Sequence, residues 1–329
     1  MYYRSKFLLM SKIVDWDRHI GRRLKLRDLH VFFVVAQCGS MAKAASQLGV
    51  TQPAVSQVIA DLEHVMGVTL LDRSPQGVEP TLYGQTLLKG GAVAFDGLKQ
   101  TIREIEFQAD PTSGEVKIGC PEAVAVLLPP VIARLTQRHP NIVVHTVDVA
   151  APTLDLPQVR DRRVDLAIVR LAGPPSGLPL GDDLSVEVLF SDETLVVAGK
   201  DSRWASRRKI DIAELASEPW ILPPPETLNS MVVMDAFKVA GAGPPKINLV
   251  TFSVQLRINL LADGPYISVL PRSMIRLYGF RLPIRVLPIK LPEREWPVAM
   301  VTLKNRTLNP VAKLFIEQLR KEIKQMAGH

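Results

Sequence analysis

The sequence predicts an α/β protein of more than one domain, and three patterns support this prediction. Residues 40–67 contain two short helical patterns separated by a glycine turn, and residues 88–105 repeat apolar side chains every seven positions. From residue 115 onward, strand-like and helix-like segments alternate. Because such alternation is typical of parallel sheets covered by helices on both faces, most of the chain is expected to be α/β. A length of 329 residues favours two or three domains.

The first pattern predicts a helix, a tight turn and a second helix. Ser40 is a favourable N-cap for the helix MAKAASQL, and Gly49 ends it because glycine accepts the left-handed conformation. Thr51 caps the second helix, and Pro53 lies in its first turn, where a missing N–H costs little. One buried stripe runs along the second helix at helical spacing, formed by Val55, Ile59, Leu62 and Met66.

Polar side chains lie off that stripe at the start of the second helix. A DNA-reading helix places such N-terminal side chains on base edges and phosphates, and glutamine can pair bidentately with adenine. Two short apolar runs then flank a polar tip with Pro75 and Gly77, which predicts a two-stranded wing. Arg73 lies at its base, where a guanidinium is suited to a phosphate. The alternative is a three-helix domain with an ordinary solvated face.

This segment resembles the LysR-type transcriptional regulators. The resemblance rests on LRDLHVFFVVAQCGSMAKAA from Leu26, TQPAVSQ from Thr51, LEHVMGVTLLDR from Leu62 and TLYG from Thr81. It implies a winged helix-turn-helix whose Gln52, Pro53 and Ser56 face bases and backbone, while Arg73 holds phosphate. Gln57 departs from the family, which often has arginine there, so the base preference is open. The predicted DNA-contacting residues are Ser40, Thr51, Gln52, Pro53, Ser56, Gln57, Arg73 and Gln76.

The basic charge is concentrated at the N terminus. The chain carries a net charge of +7, which permits nucleic-acid binding without proving it. Basic residues crowd just before the first helix, where they either approach the phosphate backbone or form a solvated entry to the helix: Arg22, Arg23, Lys25 and Arg27. Residues 1–25 are interpreted as a leader. Its apolar core is too short for a secretory signal, and no apolar run is long enough to span a membrane, so a cytoplasmic protein is expected.

The heptad repeat predicts a linker helix over residues 85–112. Two sets of residues occupy the a and d positions: Leu88, Phe95 and Ile102, and Gly91, Leu98 and Ile105. Such a helix either joins two copies of the chain or packs on its own domain. The linker helices of LysR-type regulators form dimers, and a protein that recognises two DNA half-sites needs a second copy of its DNA-binding domain. A homodimer through this helix, assembling further into a tetramer, is therefore expected.

The resemblance extends over the alternating segments. It implies a C-terminal domain like a periplasmic binding protein, with two α/β lobes joined by two crossovers around a cleft. The predicted boundaries are 26–84 for the DNA-binding domain and 113–329 for the effector domain. Within the latter, lobe I covers about 113–190 and 291–329, and lobe II about 191–290.

Ligands of open α/β sheets bind beyond the carboxyl ends of strands, beside helix N termini. Four such loops are predicted to converge, and their candidate effector-contacting residues are Pro121, Glu122, Ala123, Thr153, Pro224, Pro225, Glu226, Thr227, Thr251, Phe252 and Ser253. In the competing interpretation, Phe252 belongs to the core and the hydroxyls beside it cap a helix. Many relatives have serine or threonine where this chain has Pro121-Glu122. A carboxylate there weakens the case for a simple carboxylate effector unless Arg170 or a cation offsets it. Glu122 either accepts hydroxyl donors from a ligand or caps its own helix.

Enzyme chemistry finds little support. The sequence has no GxSxG, HExxH or CxxC motif, its six histidines are scattered, and neither a metal nor a cofactor is predicted. The prediction is a transcriptional regulator that binds a partly palindromic site on double-stranded DNA and is controlled by a small-molecule effector. By resemblance, effector binding closes the lobes and changes DNA bending and contact with RNA polymerase. The alternatives are an architectural DNA-bending protein and, for the C-terminal domain alone, a solute-binding protein.

Overall fold

The computed structural model describes residues 23–75, 77–149, 155–292 and 296–327. Most of the predicted leader, together with Gln76 and Thr153, lies outside these ranges. The chain forms two compact units, which divide inside a long helix between Leu98 and Lys99.

The first unit is a winged helix-turn-helix, as predicted. Its helices and strands are α1 Leu26–Cys38, α2 Met41–Leu48, α3 Gln52–Met66, β1 Leu71–Ser74, β2 Gly77–Pro80 and the first part of α4 Leu82–Ala109. Phe32, Ala44 and Ile59 are fully buried where the first three helices meet. The strands β1 and β2 pair antiparallel and form the wing. The tight fit at its tip requires glycine at position 77, because a Cβ there would lie 2.7 Å from the Gly39 carbonyl oxygen.

The second unit consists of two α/β lobes. The elements of lobe I are β3 Ser113–Gly119, α5 Glu122–Ala125, α6 Leu128–Arg138, β4 Asn141–Val147, α7 Pro157–Arg160, β5 Leu166–Arg170, β6 Leu184–Asp192, β12 Trp296–Leu303 and α11 Pro310–Ala327. Those of lobe II are β7 Thr194–Gly199, β8 Trp220–Leu222, α8 Leu228–Val239, β9 Ile247–Val250, α9 Val254–Asp263, β10 Ile267–Pro271, α10 Arg272–Tyr278 and β11 Ile284–Val286. Short 3-10 turns lie at Pro175–Gly177, Ile212–Leu215 and Gly279–Arg281.

The sheets of the two lobes are mixed, whereas parallel sheets were expected. Lobe I has the strand order β4-β3-β5-β12-β6, and lobe II has β11-β7-β10-β8-β9. The strands β12 and β7 run antiparallel to their neighbours. These are the strands that follow the two crossovers between the lobes, at Glu193 and between Val286 and Trp296. The chain thus enters each sheet from the other lobe, and it does so in the reverse direction.

A second difference concerns the segment after β4. The alternation of strands and helices in the sequence predicts a helix over residues 153–162, but the described part of this segment holds only the single turn α7. Leu156 precedes it in the left-handed conformation, with φ of 42°, which a longer regular helix does not accommodate. The sequence LLPP at residues 127–130 predicts an interruption in a helix over residues 122–138. The observed break lies earlier, at Val126 and Leu127, because α6 begins at Leu128 and includes both prolines in its first turn, where a missing N–H costs little.

Candidate DNA interface and effector cavity

The N terminus of α3 presents a polar surface, as the sequence predicts. Thr51 caps the helix by accepting a hydrogen bond from the Ala54 N–H, and Gln52 and Pro53 are exposed in the first turn. Ser40 caps α2 in the same way through the Lys43 N–H. Both hydroxyl oxygens therefore serve their own helices, whereas Gln52 is a long, exposed side chain that a base edge can reach.

Arg73 extends from the wing to α3. Its Nη1 donates a hydrogen bond to Ser56 Oγ over 3.4 Å, and its side chain is exposed. The structure thus brings together a cation and a hydroxyl that are 17 positions apart in sequence. Gln57 behaves differently, because its amide donates to Asp61 on the next turn of α3 over 2.8 Å.

The start of the linker helix packs against its own DNA-binding unit. Leu88 and Phe95 contact the core of this unit, and the rings of Phe95 and Phe33 meet edge to face at 5.4 Å. A Cβ at Gly91 would lie 2.7 Å from the Phe33 ring, so this glycine allows α4 to approach α1. The first half of the predicted heptad seam is therefore an intrachain contact, and the interpretation of Gly91 as a residue of a dimer seam is wrong.

The second half of the seam is exposed. Leu98, Ile102 and Ile105 are 43%, 46% and 61% exposed. Beyond them, α4 is anchored to the effector unit, where Phe107 packs on the core of lobe I. Arg103 hydrogen-bonds to Glu115 on β3 and lies 3.8 Å from the buried Asp165 carboxylate. The apolar stripe is thus held on a helix end that is fixed to lobe I.

A cavity of about 160 Å³ lies between the two lobes of the effector unit. This is close to the size of cavity that holds one benzene molecule. Its walls come from the segments that follow β3, β4, β8 and β9 and from the last residue of β5. The lining residues are Pro121, Glu122, Ala123, Val124, Asp148, Val149, Arg170, Pro223, Thr227, Leu228, Asn229, Phe252 and Arg257.

Five of the predicted effector-contacting residues line this cavity: Pro121, Glu122, Ala123, Thr227 and Phe252. Phe252 is 53% exposed and forms part of the wall, so the competing interpretation that placed it in the core is wrong.

Five others are not among the lining residues: Pro224, Pro225, Glu226, Thr251 and Ser253. The hydroxyls are used locally, since Ser253 accepts from the Leu256 N–H at the start of α9 and Thr251 accepts from the Ser253 N–H. Pro225 and Glu226 are exposed in the turn before α8. The capping interpretation therefore accounts for the hydroxyl contacts of Thr251 and Ser253.

Two buried arginines, one from each lobe, line the cavity. Arg170, at the end of β5, donates from Nη1 to Asn229 Oδ1 over 2.9 Å and from Nη2 to Thr194 Oγ1 over 3.4 Å. Arg257, on α9, donates to the Val269 carbonyl over 2.8 Å. The Nε atoms of both arginines lack a hydrogen-bond partner within the described part of the chain. Each guanidinium therefore has an N–H donor that a ligand in this largely apolar cavity can use.

Burial lowers the pKa of both guanidinium groups. For Arg170, the negative charge of Asp192 partly opposes this fall in pKa. For Arg257, the charge of Glu122 has the same opposing effect, and the pKa is lowered to about 10. Arg257 therefore remains cationic at neutral pH.

Glu122 links the two lobes. Its carboxylate accepts hydrogen bonds from the Val254 N–H over 3.0 Å and from the Gln255 N–H over 3.3 Å. These amides belong to the first turn of α9 in lobe II, whereas Glu122 begins α5 in lobe I. The interpretation in which Glu122 caps its own helix, α5, is therefore wrong. The carboxylate caps α9, a helix of the other lobe.

Sequence reasoning did not assign several lining residues to the site: Val124, Asp148, Val149, Pro223, Leu228, Asn229 and Arg257. One signal for Arg257 was available. It occupies a position in the apolar stripe of α9 between Val254 and Leu261, and an arginine in such a stripe needs a buried partner.

Residues 26–85 match the family described as bacterial regulatory helix-turn-helix protein, lysR family, and residues 109–324 match the LysR substrate binding domain. The chain belongs to the LysR-type transcriptional regulators. It is a DNA-binding transcriptional regulator with an effector-binding domain, and the family is one of regulators rather than enzymes.

Named relatives agree over nearly the whole chain. The HTH-type transcriptional regulator GbpR of Azospirillum brasilense is 30% identical, with 91% of this chain and 86% of GbpR covered. The regulator TdcA of Escherichia coli K12 is also 30% identical, with 92% and 95% covered. Full-length CbnR in complex with its target DNA has the same fold, with a TM-score of 0.58 at 19% identity over 91% of this chain and 100% of CbnR.

Other kinds of site find no support in this LysR-type regulator. Across the described ranges, no cluster of three or more His, Cys, Asp and Glu side chains is placed to hold a metal ion. Burial and the nearby Asp148 raise the pKa of Cys120 to about 11, so its thiol is protonated and unreactive at neutral pH. No helix among the described residues is long and apolar enough to cross a membrane.

Arg73 yields a prediction about salt dependence. We expect Arg73→Ala to weaken binding to all DNA sequences and to lower the slope of log affinity against log salt by about one, because one phosphate contact is lost. Fluorescence anisotropy at several salt concentrations measures this. Lys89→Ala is the control, because Lys89 is an exposed cation on α4, outside α3, the wing and the basic cluster before α1. An unchanged slope for Arg73→Ala would show that this guanidinium does not contact phosphate.

Proposed function

We propose that this regulator binds a partly palindromic operator as a homodimer, which assembles further into a tetramer, and that a small molecule bound between the lobes controls its contact with DNA. The observation that carries the proposal is the cavity. Carboxyl ends of strands from both lobes meet there around two buried arginines, and the Nε of each has no hydrogen-bond partner among the residues that the structure describes. A regulator of this kind works in the bacterial cytoplasm, where its DNA is.

The linker helix supports the dimer. Its uncovered stripe of Leu98, Ile102 and Ile105 repeats at a and d spacing, and such a stripe is stabilised by burial against a second helix. A dimer presents two copies of α3, and paired reading helices match a site with two half-sites.

The path from effector to DNA runs through lobe I. Glu122 and Arg170 belong to this lobe, and α4 is anchored on it through Arg103 and Phe107. A shift of lobe I on ligand binding therefore displaces the end of the helix that joins the paired chains. In this proposal, the displacement alters the spacing of the reading helices, the bend of the DNA and the contact with RNA polymerase.

Substitution of Gln52 tests the DNA-reading part of the proposal. We expect Gln52→Ala to weaken operator binding by about 1–3 kcal/mol and to leave binding to unrelated DNA nearly unchanged, because one bidentate base contact is lost. Competition binding with operator and bulk DNA measures both affinities. Gln47→Ala, in α2, is the control for an exposed glutamine of the same unit away from the start of α3.

Two outcomes would contradict this assignment. Equal loss on operator and bulk DNA would give Gln52 a positioning role in place of base reading. If the unsubstituted protein showed no preference for one palindromic site over bulk DNA, the architectural alternative would hold.

A further inference from the structure

The first turn of α9 is an anion-binding position that is already filled from within the chain. The Val254 and Gln255 N–H groups point away from the helix and donate to the two Glu122 carboxylate oxygens. Free N–H groups and the positive end of the helix dipole favour a negative group there. Glu122 therefore stands where a carboxylate ligand of this helix would bind.

A buried cation strengthens this position. Arg257 lies one turn into α9, is 1% exposed and retains an Nε without a partner within the described ranges. It lines the same cavity as Glu122. A buried cation needs a nearby negative charge, and removing that charge leaves the burial uncompensated. The cavity therefore requires a carboxylate close to Arg257, either from the chain or from a ligand.

The Glu122 side chain can readily be displaced from the start of α9. Its residue is exposed, so the carboxylate can rotate into solvent and be hydrated. The loss then consists of two hydrogen bonds to the start of α9, and an incoming carboxylate restores both.

We propose that the N terminus of α9 is the carboxylate-binding subsite of the cavity, that Glu122 occupies it as an internal ligand, and that a compact carboxylate effector binds by displacing Glu122. This inference rests on the effector control proposed above. Phe252, Leu228 and Val149 line the cavity and provide apolar contacts, so the class of ligand is a small carboxylate with an apolar body. The Arg170 Nε is a second donor for a ligand that carries another polar group.

Glu122 also sets the resting state. Because it joins lobe I to lobe II, it holds the lobes together before a ligand arrives. The effector then replaces a contact between the lobes instead of creating one, and the competition keeps the affinity of the unsubstituted protein low.

The test is isothermal titration of full-length protein with sodium isobutyrate at constant ionic strength. We expect Glu122→Ala to bind isobutyrate about tenfold more tightly than the unsubstituted protein, because the competing carboxylate is gone. Isobutyramide, which has the same shape without the charge, should show no such gain. Asp148→Ala is the matched control, since it removes another cavity carboxylate that makes no hydrogen bond to α9 among those described.

Three results would overturn the proposal: isobutyrate binding by Glu122→Ala that is no tighter than that of the unsubstituted protein, an equal gain for isobutyramide, or no measurable binding in any form. If circular dichroism shows that Glu122→Ala does not fold, Glu122→Gln replaces it. The glutamine keeps the volume and loses the charge, and a gain of at least about threefold is expected; no gain overturns the proposal. Because these titrations contain no DNA, a gain in carboxylate affinity supports the subsite even if isobutyrate leaves operator binding unchanged and effector control fails.

Discussion

Replacing Leu98 and Ile102 together by glutamate is expected to convert the regulator into monomers. In the proposed dimer both side chains lie in the seam between two α4 helices, and in the single chain they are 43% and 46% exposed. The double substitution puts four carboxylates into an apolar seam, which costs several kcal/mol because buried like charges are neither solvated nor paired. Light scattering and sedimentation measure the change in mass directly.

The exposure of these residues separates association from folding. Because Leu98 and Ile102 are both exposed and lie outside the buried cores of the described ranges, the substituted protein should fold and melt much like the original. Val93→Glu with Gln108→Glu is the control, because it adds as many charges at exposed positions of α4 outside the seam. This control should keep its oligomeric mass. If the seam variant also kept its mass, association would reside in the effector unit and α4 would be only a spacer.

The helices and caps of the DNA-binding unit were predictable because their signals are local. Ser40, Gly49 and Thr51 act on neighbouring backbone, so caps and turns can be read directly from the sequence. The linker helix shows the limit of such signals. A heptad repeat identifies an apolar face but not what covers it, and Phe33, about 60 positions earlier, covers the first half.

The cavity was less predictable because its contacts join distant parts of the chain. The loops beyond the strand ends were identified from topology, and Pro121, Thr227 and Phe252 lie where that argument placed them. The partner of Glu122 was not accessible in the same way, because Val254 is 132 positions away in the other lobe. Hydroxyls at helix starts were overvalued as ligand contacts, since a capping role satisfies them locally.

The effector unit should depend strongly on Arg170 for its stability. This side chain, 7% exposed, connects β5 of lobe I to Asn229 on α8 and to Thr194 at the crossover. The buried Asp192 provides the negative charge that opposes the fall in its pKa. We expect Arg170→Ala to lower the free energy of unfolding by about 3 kcal/mol. The change removes the donor to Thr194 Oγ1 and one of the two donors to Asn229 Oδ1, which keeps the Thr194 hydroxyl, and it leaves a buried carboxylate without its opposing charge.

For a unit of this size, such a loss lowers the melting temperature by about 6–12 °C in a thermal unfolding scan. Arg272→Ala is the matched control, because Arg272 forms an ion pair with Glu193 beside the same crossover but is 57% exposed. Exposed pairs contribute about 0–1 kcal/mol, so this variant should melt within about 2–4 °C of the original. Similar melting temperatures for the two variants would show that solvent or a rearranged neighbour compensates Asp192. Arg170 would then contribute to ligand binding but not to folding, and its substitution would change the affinity for the effector without changing the stability of the effector unit.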